Sequence, residues 1–216
     1  MTSPVVTLTF DNGPTPGITQ EVFDVLAGCE VPATFFTIGH KLSTPEGTEL
    51  GRETVSRGHR LGGHTWSHSV QFGVAAEDVI LDELARTRAA VDDAGGEGSL
   101  FRPYGAGGVI DDLLMSSFGA SSLCAGGYTC VLWNVLPGDW RDADGWVDAA
   151  LDEIERHPWS VVVLHDVVDA SLPRLGEFLD RVNALDPRWS QDFPEDCTPI
   201  RNGLPTSSFD SLNAST

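Results

Sequence analysis

The side chains best placed for chemistry fall in a few short clusters. Asp11 and Asn12 end the apolar run of "LTFDNGPTP" just before a Gly13-Pro14 turn. His64 and His68 sit four apart in "HTWSH". On a helical turn, positions i and i+4 share a face, so both imidazoles would reach one metal ion. The same spacing also suits two surface histidines. His165 follows the apolar residues of "SVVVLHD". At a buried strand end it is either a satisfied core residue or a proton donor with a pKa near working pH. Asp139, in "GDW", would keep a neighbouring imidazole protonated. Arg102 precedes Pro103, which favours an extended backbone, and an arginine there can pair with a catalytic carboxylate.

These groups need elements to carry them. Strand-like runs cover 5–10, 33–38, 128–135 and 160–166, with a short strand and a polar turn in 60–69 and a strand with a loop in 99–105. Helical spacing covers 19–27, 46–57, 76–94, 109–118, 143–156 and 171–184. Alternating strands and helices predict an α/β fold of parallel strands with crossover helices. Nearly every strand ends in a polar or ionisable cluster. In a β/α barrel those ends face one mouth, where active sites are built. Adjacent strand residues point to opposite faces, so Asp11 and Asn12 converge on one ion only because the chain turns after them.

Composition narrows the partners. The 216 residues carry 13 basic and 32 acidic side chains, a formal charge of −19. Such a surface repels phosphate backbones and anionic lipid, so neither nucleic acid nor membrane is an expected partner. A neutral substrate, or a cationic product, fits better, and oligomeric state is left open. "MTSPVV" has neither a basic n-region nor an apolar h-region, and the chain is expected to be cytoplasmic. Cys29, Cys124, Cys130 and Cys197 form no CxxC pair; a Cys124–Cys130 bridge would require an exported protein. Residues 1–204 are expected to form one domain, with 205–216 a disordered tail.

In order, "TFDNGP", "HTWSH", "FRPYG", "GDW" and "VLHD" resemble the five motifs of the polysaccharide deacetylases, the NodB-like proteins of carbohydrate esterase family 4. The resemblance spans residues 7 to 166. It implies a deformed (β/α) barrel of about seven parallel strands, a bound zinc or other divalent ion, and removal of N- or O-acetyl groups from sugars. It also implies roles. Asp11 matches the general base, and His64 and His68 match the metal histidines. Arg102 matches the residue that holds the base, and Asp139 the carboxylate that tunes the acid, His165. Tyr104 lies where a backbone N–H helps bind the oxyanion. Trp140 is the best candidate for stacking on a sugar face; Trp66 and Trp133 suit the core.

Four departures stand out. The second aspartate of the first motif, a metal ligand, is Asn12 here. The arginine loop is one residue shorter than "RPPYG", Leu136 stands where many members carry Asp, and Gly63 replaces a common Asn. An amide oxygen is neutral and a poorer ligand than a carboxylate. Three readings of Asn12 stay open: a weak carbonyl ligand, no ligand, or partial deamidation of Asn12-Gly13 to Asp. The expected function is metal-assisted hydrolysis of a non-peptide C–N bond, an acetamide above all. The alternatives are a cyclic-amide hydrolase of the allantoinase type and a degenerate relative that binds saccharide without turnover.

Overall fold

The computed structural model describes residues 3–213. A 9-stranded sheet curls through the molecule. Strands β1 (Val5–Asp11), β2 (Thr34–Thr37), β3 (Arg60–Gly63), β4 (Leu100–Phe101) and β5 (Thr129–Cys130) lie side by side and parallel. β6 (Trp159–His165) and β7 (Arg188–Ser190) both pair parallel with β1. β7 takes the first half of β1 and β2 the second. The antiparallel hairpin β8 (Ile200–Arg201) and β9 (Leu204–Pro205) extends the sheet beyond β5. The chain after β5 returns to β6 through a parallel bridge between Val135 and Val162. The expected deformed barrel with parallel strands is what forms.

Helices cover the outside: α1 (Ile18–Gly28), α2 (Gly39–Leu42), α3 (Pro45–Ser56), α4 (Glu77–Asp93), α5 (Ser117–Ala125), α6 (Trp146–Ile154) and α7 (Leu172–Asn183). The period-two pattern of β1 explains the layers. Val6, Leu8 and Phe10 pack outward with Phe23 of α1, Trp146 of α6 and Phe178 of α7. Thr7, Thr9 and Asp11 therefore face inward. In β6, Val162 and Leu164 join the same outer layer, so Val161, Val163 and His165 face inward beside them. Two polar residues at inward strand ends are thus fixed by the pattern that fills the core.

Three local expectations are corrected. The helix expected over 109–118 is absent; α5 begins at Ser117, because the Ser116 hydroxyl caps it by accepting from the Gly119 N–H at 3.2 Å. The strand expected over 128–135 is regular only at Thr129–Cys130. The tail expected to be disordered from 205 instead packs back as far as Leu212. Leu212 is fully buried beside Leu123 and Ile200, and Phe209 packs on the same cluster; 214–216 lie outside the described residues. The four cysteines are free thiols. No helix among the described residues is long and apolar enough to cross a membrane.

Candidate active site

Asp11 and His165 are register partners across β1 and β6. Both are buried, at 4% and 8% exposure, on the inward face at the C-terminal end of the sheet. Arg102 follows β4 and is completely buried. Its Nη1 donates to Asp11 Oδ1 at 2.8 Å and to Thr9 Oγ1 at 2.7 Å. Its other donors reach the carbonyls of Val131 and Leu132 at 3.3 Å each. The guanidinium also lies 4.2 Å from the Phe36 ring centroid. A cation so fully engaged holds the Asp11 carboxylate in place.

Asp139 is buried and grips His165 twice. Oδ1 accepts from His165 Nδ1 at 2.8 Å and Oδ2 accepts from the His165 backbone N–H at 2.9 Å. The Nδ1 proton is thereby committed, which leaves Nε2 as the exchanging atom. Trp140 stands next to Asp139, 36% exposed, its ring centroid 4.5 Å from that of His165.

The His64–His68 segment is not helical, contrary to the expected turn. His64 follows β3, and the chain passes through left-handed conformations at Thr65 (φ 60°) and His68 (φ 53°). The rings still meet, with centroids 4.9 Å apart. Tyr104 packs its ring on His68 at 4.0 Å. His64 Nδ1 donates to the Arg102 carbonyl at 2.9 Å, so its Nε2 presents a lone pair toward Asp11 Oδ2, 3.7 Å away.

The electrostatics separate the two central groups. Burial pushes the Asp11 carboxyl up, but the positive charges around it, Arg102 foremost, outweigh it and hold Asp11 below its ordinary value. Burial pulls His165 down, and Asp139 overcomes this and raises it. Burial lowers His64, and lowers His68 to about 3, so both imidazoles are neutral. A carboxyl shifted down beside an imidazole shifted up is the arrangement that a base–acid pair would need.

The donors around Asp11 bear on whether a divalent ion fits. Neutral imidazoles are the form that ligates. His64 Nε2 and the Asp11 carboxylate are two acceptors facing each other with no proton between them. Asn12 turns out of β1 at φ 75°, and its Oδ1 is buried without a hydrogen-bond partner. Among the described residues, no three His, Cys, Asp or Glu side chains gather to hold a metal ion; His64, His68 and the unpartnered Asn12 Oδ1 are the groups that could hold one. Two neutral imidazoles and one neutral amide oxygen are donors of the kind a divalent cation takes.

Asp11, His64, Trp133, Leu136 and Val163 line a pocket of about 30 Å³. Leu136, in place of a family Asp, packs against Gly108, where a Cβ would come within 1.9 Å of its side chain. Trp133 is buried, with Nε1 donating to the Gly108 carbonyl at 3.2 Å. Trp66 is half-buried under the Arg86 guanidinium. A larger cavity of about 830 Å³ lies at the opposite strand ends, beside Pro4 and Pro158, and holds none of the motif side chains.

Sequence reading missed three supporting residues. Lys41 Nζ donates to the Asn12 carbonyl at 2.7 Å. Asp166 is buried behind Gly13, accepts from Thr19 Oγ1 at 2.6 Å, and is raised by burial to about 7. Glu83 Oε2 accepts from the backbone N–H groups of Trp66 and Ser67. Only Asp166 carried a signal, its place beside His165.

Comparison with known proteins decides the family. The polysaccharide deacetylase family model matches residues 1–117. The chain belongs to this family. It is 38% identical over 169 residues to a chitooligosaccharide deacetylase from Sinorhizobium fredii, covering 76% of this chain and 73% of that one. Its fold is similar to a family 4 carbohydrate esterase from Streptomyces lividans in complex with acetate, with TM-score 0.75 and 24% identity over 92% of this chain and 97% of that one. It is likewise similar to a family 4 acetyl xylan esterase from Clostridium thermocellum in complex with a cobalt ion, with TM-score 0.73 and 24% identity over 86% and 87% of the two chains. Divalent-metal dependence is typical of this deacetylase family.

Proposed function

We propose that this deacetylase removes acetyl groups from N-acetylated sugar oligomers, with Asp11 as general base and His165 as general acid. The observation that carries the reading is the register pairing of Asp11 with His165, each held in the protonation state its task needs.

Amide hydrolysis requires an activated water, a stabilised oxyanion and a protonated leaving amine. Asp11, ionised and fixed by Arg102, takes the proton from the attacking water. His165, charged and held by Asp139 through Nδ1, gives its Nε2 proton to the departing amine. The leaving group is a poor one until protonated, so this second transfer completes C–N cleavage. His64, His68 and the Asn12 side-chain oxygen would hold a divalent cation, and their nitrogens would favour zinc. When bound, that ion polarises the acetyl carbonyl and acidifies water. The Tyr104 backbone N–H assists at the oxyanion, and Trp140, exposed at the mouth beside His165, offers its face to a sugar ring. A neutral sugar suits a chain of net charge −19, as does the cationic amine left by deacetylation.

The test is acetate release from N-acetylglucosamine oligomers by purified protein, with zinc present and after chelation. Zinc-dependent release supports the reading. A saccharide that binds with no acetate released under either condition would favour the non-catalytic alternative, which Asn12 supports.

A further inference from the structure

The segment carrying His64 and His68 is held in a backbone that its own residues disfavour. Left-handed φ is uncommon outside glycine, and for a β-branched residue such as Thr65 it is a true outlier. Strain of this kind persists only where the surroundings over-determine it. Here they do. The Thr65 carbonyl accepts from the Gly39 N–H at 2.9 Å, and the Trp66 carbonyl accepts from the His40 N–H at 3.0 Å. Thr65 Oγ1 accepts from the His68 N–H at 3.1 Å.

The charged part of this frame is Glu83. It lies on α4, 6% exposed, outside all five motifs. Its Oε2 accepts from the Trp66 N–H at 2.6 Å and the Ser67 N–H at 3.0 Å. Two successive amides between the two histidines thus converge on one carboxylate oxygen, and charge-assisted bonds are the strong ones. Close approach of α4 makes this reach possible. A Cβ on Gly63 would lie 2.4 Å from Thr87 Cγ2, one turn along α4 from Glu83. A Cβ on Gly39 would lie 2.7 Å from the Trp66 ring. Gly63, which stands where the family often has Asn, is the residue that lets α4 close on the turn.

We propose that Glu83 is a positioning residue for the two-histidine site: its carboxylate fixes the Thr65–His68 turn and so sets the His68 imidazole at the distance from His64 that one divalent ion requires. The inference rests on the metal reading above and extends it to a residue in no motif. Partners of this kind, one step removed from the ion, typically govern metal affinity by roughly 10- to 100-fold.

Zinc titration by calorimetry tests it on the wild type, Glu83→Ala, Glu83→Gln and Glu83→Asp, with Leu179→Ala as a control destabilised in the distant core. Glu83→Ala should bind zinc at least about tenfold more weakly. Glu83→Gln keeps an oxygen at the same reach and should stay within about threefold of wild type. Glu83→Asp keeps the charge but loses the reach, so it should fall between them, and it decides the matter if the alanine variant does not fold. Amide hydrogen exchange at Trp66 and Ser67, measured without metal, should quicken in the order Gln, Asp, Ala. Unchanged zinc affinity in Glu83→Ala, or an equal loss in Leu179→Ala, overturns the positioning role while leaving the deacetylase reading intact. A wild type that binds no zinc overturns the metal reading and this inference together.

Discussion

Asp11 and His165 stand side by side, partners in the register of β1 and β6, the carboxyl bound and shifted down by Arg102 and the imidazole bound and shifted up by Asp139. Neighbouring parallel strands lie about 4.8 Å apart, so side chains at one register position face the same substrate from adjacent footholds. The proposed base and acid need no loop to bring them together. The alternation of Thr7, Thr9 and Asp11 on β1, and of Val161, Val163 and His165 on β6, delivers both to one face.

Asp139→Asn should move the alkaline limb of the pH–rate profile to lower pH. Asp139 raises His165 above its ordinary value, and the active form is the protonated one. Removing the carboxylate lowers the pKa, so the acid is lost sooner as pH rises. At neutral pH the rate should fall by at least about tenfold. The check is kcat against pH for both proteins; an unmoved alkaline limb would detach Asp139 from the acid.

Arg102→Met should raise the acid limb and weaken the fold. Without the guanidinium, burial acts on Asp11 with less opposition and its pKa climbs, so the base is protonated at higher pH. Breaking a buried ion pair from one side costs about 3–5 kcal/mol. Denaturant unfolding and the pH–rate profile test both halves.

Stability should fall on acidification through a histidine far from the chemistry. His59 is buried, its Nδ1 accepts from the Ala33 N–H at 3.2 Å, and burial lowers its pKa to about 4. The unfolded chain takes up this proton near pH 6.5 and the folded chain only near 4, so between those values the unfolded state binds more protons and stability drops as pH falls. His59→Gln, which does not titrate, should flatten that slope. An unchanged slope would mean that the loss comes from other groups.

Much of this was legible from the chain. Strand ends with ionisable residues announced the mouth, and five ordered motifs announced the family. What stayed hidden depends on approach between distant segments. Glu83 and Lys41 act on backbone atoms of other loops, and no spacing rule marks a residue that touches a main chain 16 or 29 positions away. The four-residue spacing of His64 and His68 suggested a helix, whereas tertiary bonds impose left-handed turns that bring the rings together another way. The tail from 205 looked too polar to pack, but Leu212 finds a place in the core.

Asn12→Asp should tighten zinc binding. Asn12 Oδ1 is buried without a partner and offers a dipole where a carboxylate would offer full charge, with almost no change in volume. Charge count among ligands tunes affinity for divalent cations, and the gain expected is on the order of tenfold or more. The variant's thermal stabilisation by added zinc should exceed the wild type's, since a ligand of the native state stabilises in proportion to its affinity. Calorimetry follows a mass check that Asn12 has not deamidated; equal affinities would remove position 12 from the ligand set.

The most direct measurement is acetate release from an N-acetylglucosamine oligomer by wild type, Asp11→Asn and His165→Ala, each at measured zinc content. Arg102 keeps its bonds to Thr9, Val131 and Leu132 in the first variant, so all three proteins should fold. The base–acid account predicts release by the wild type and a loss on the order of 10²-fold or more in each variant. Release at the wild-type rate by either variant, with zinc unchanged, would contradict it.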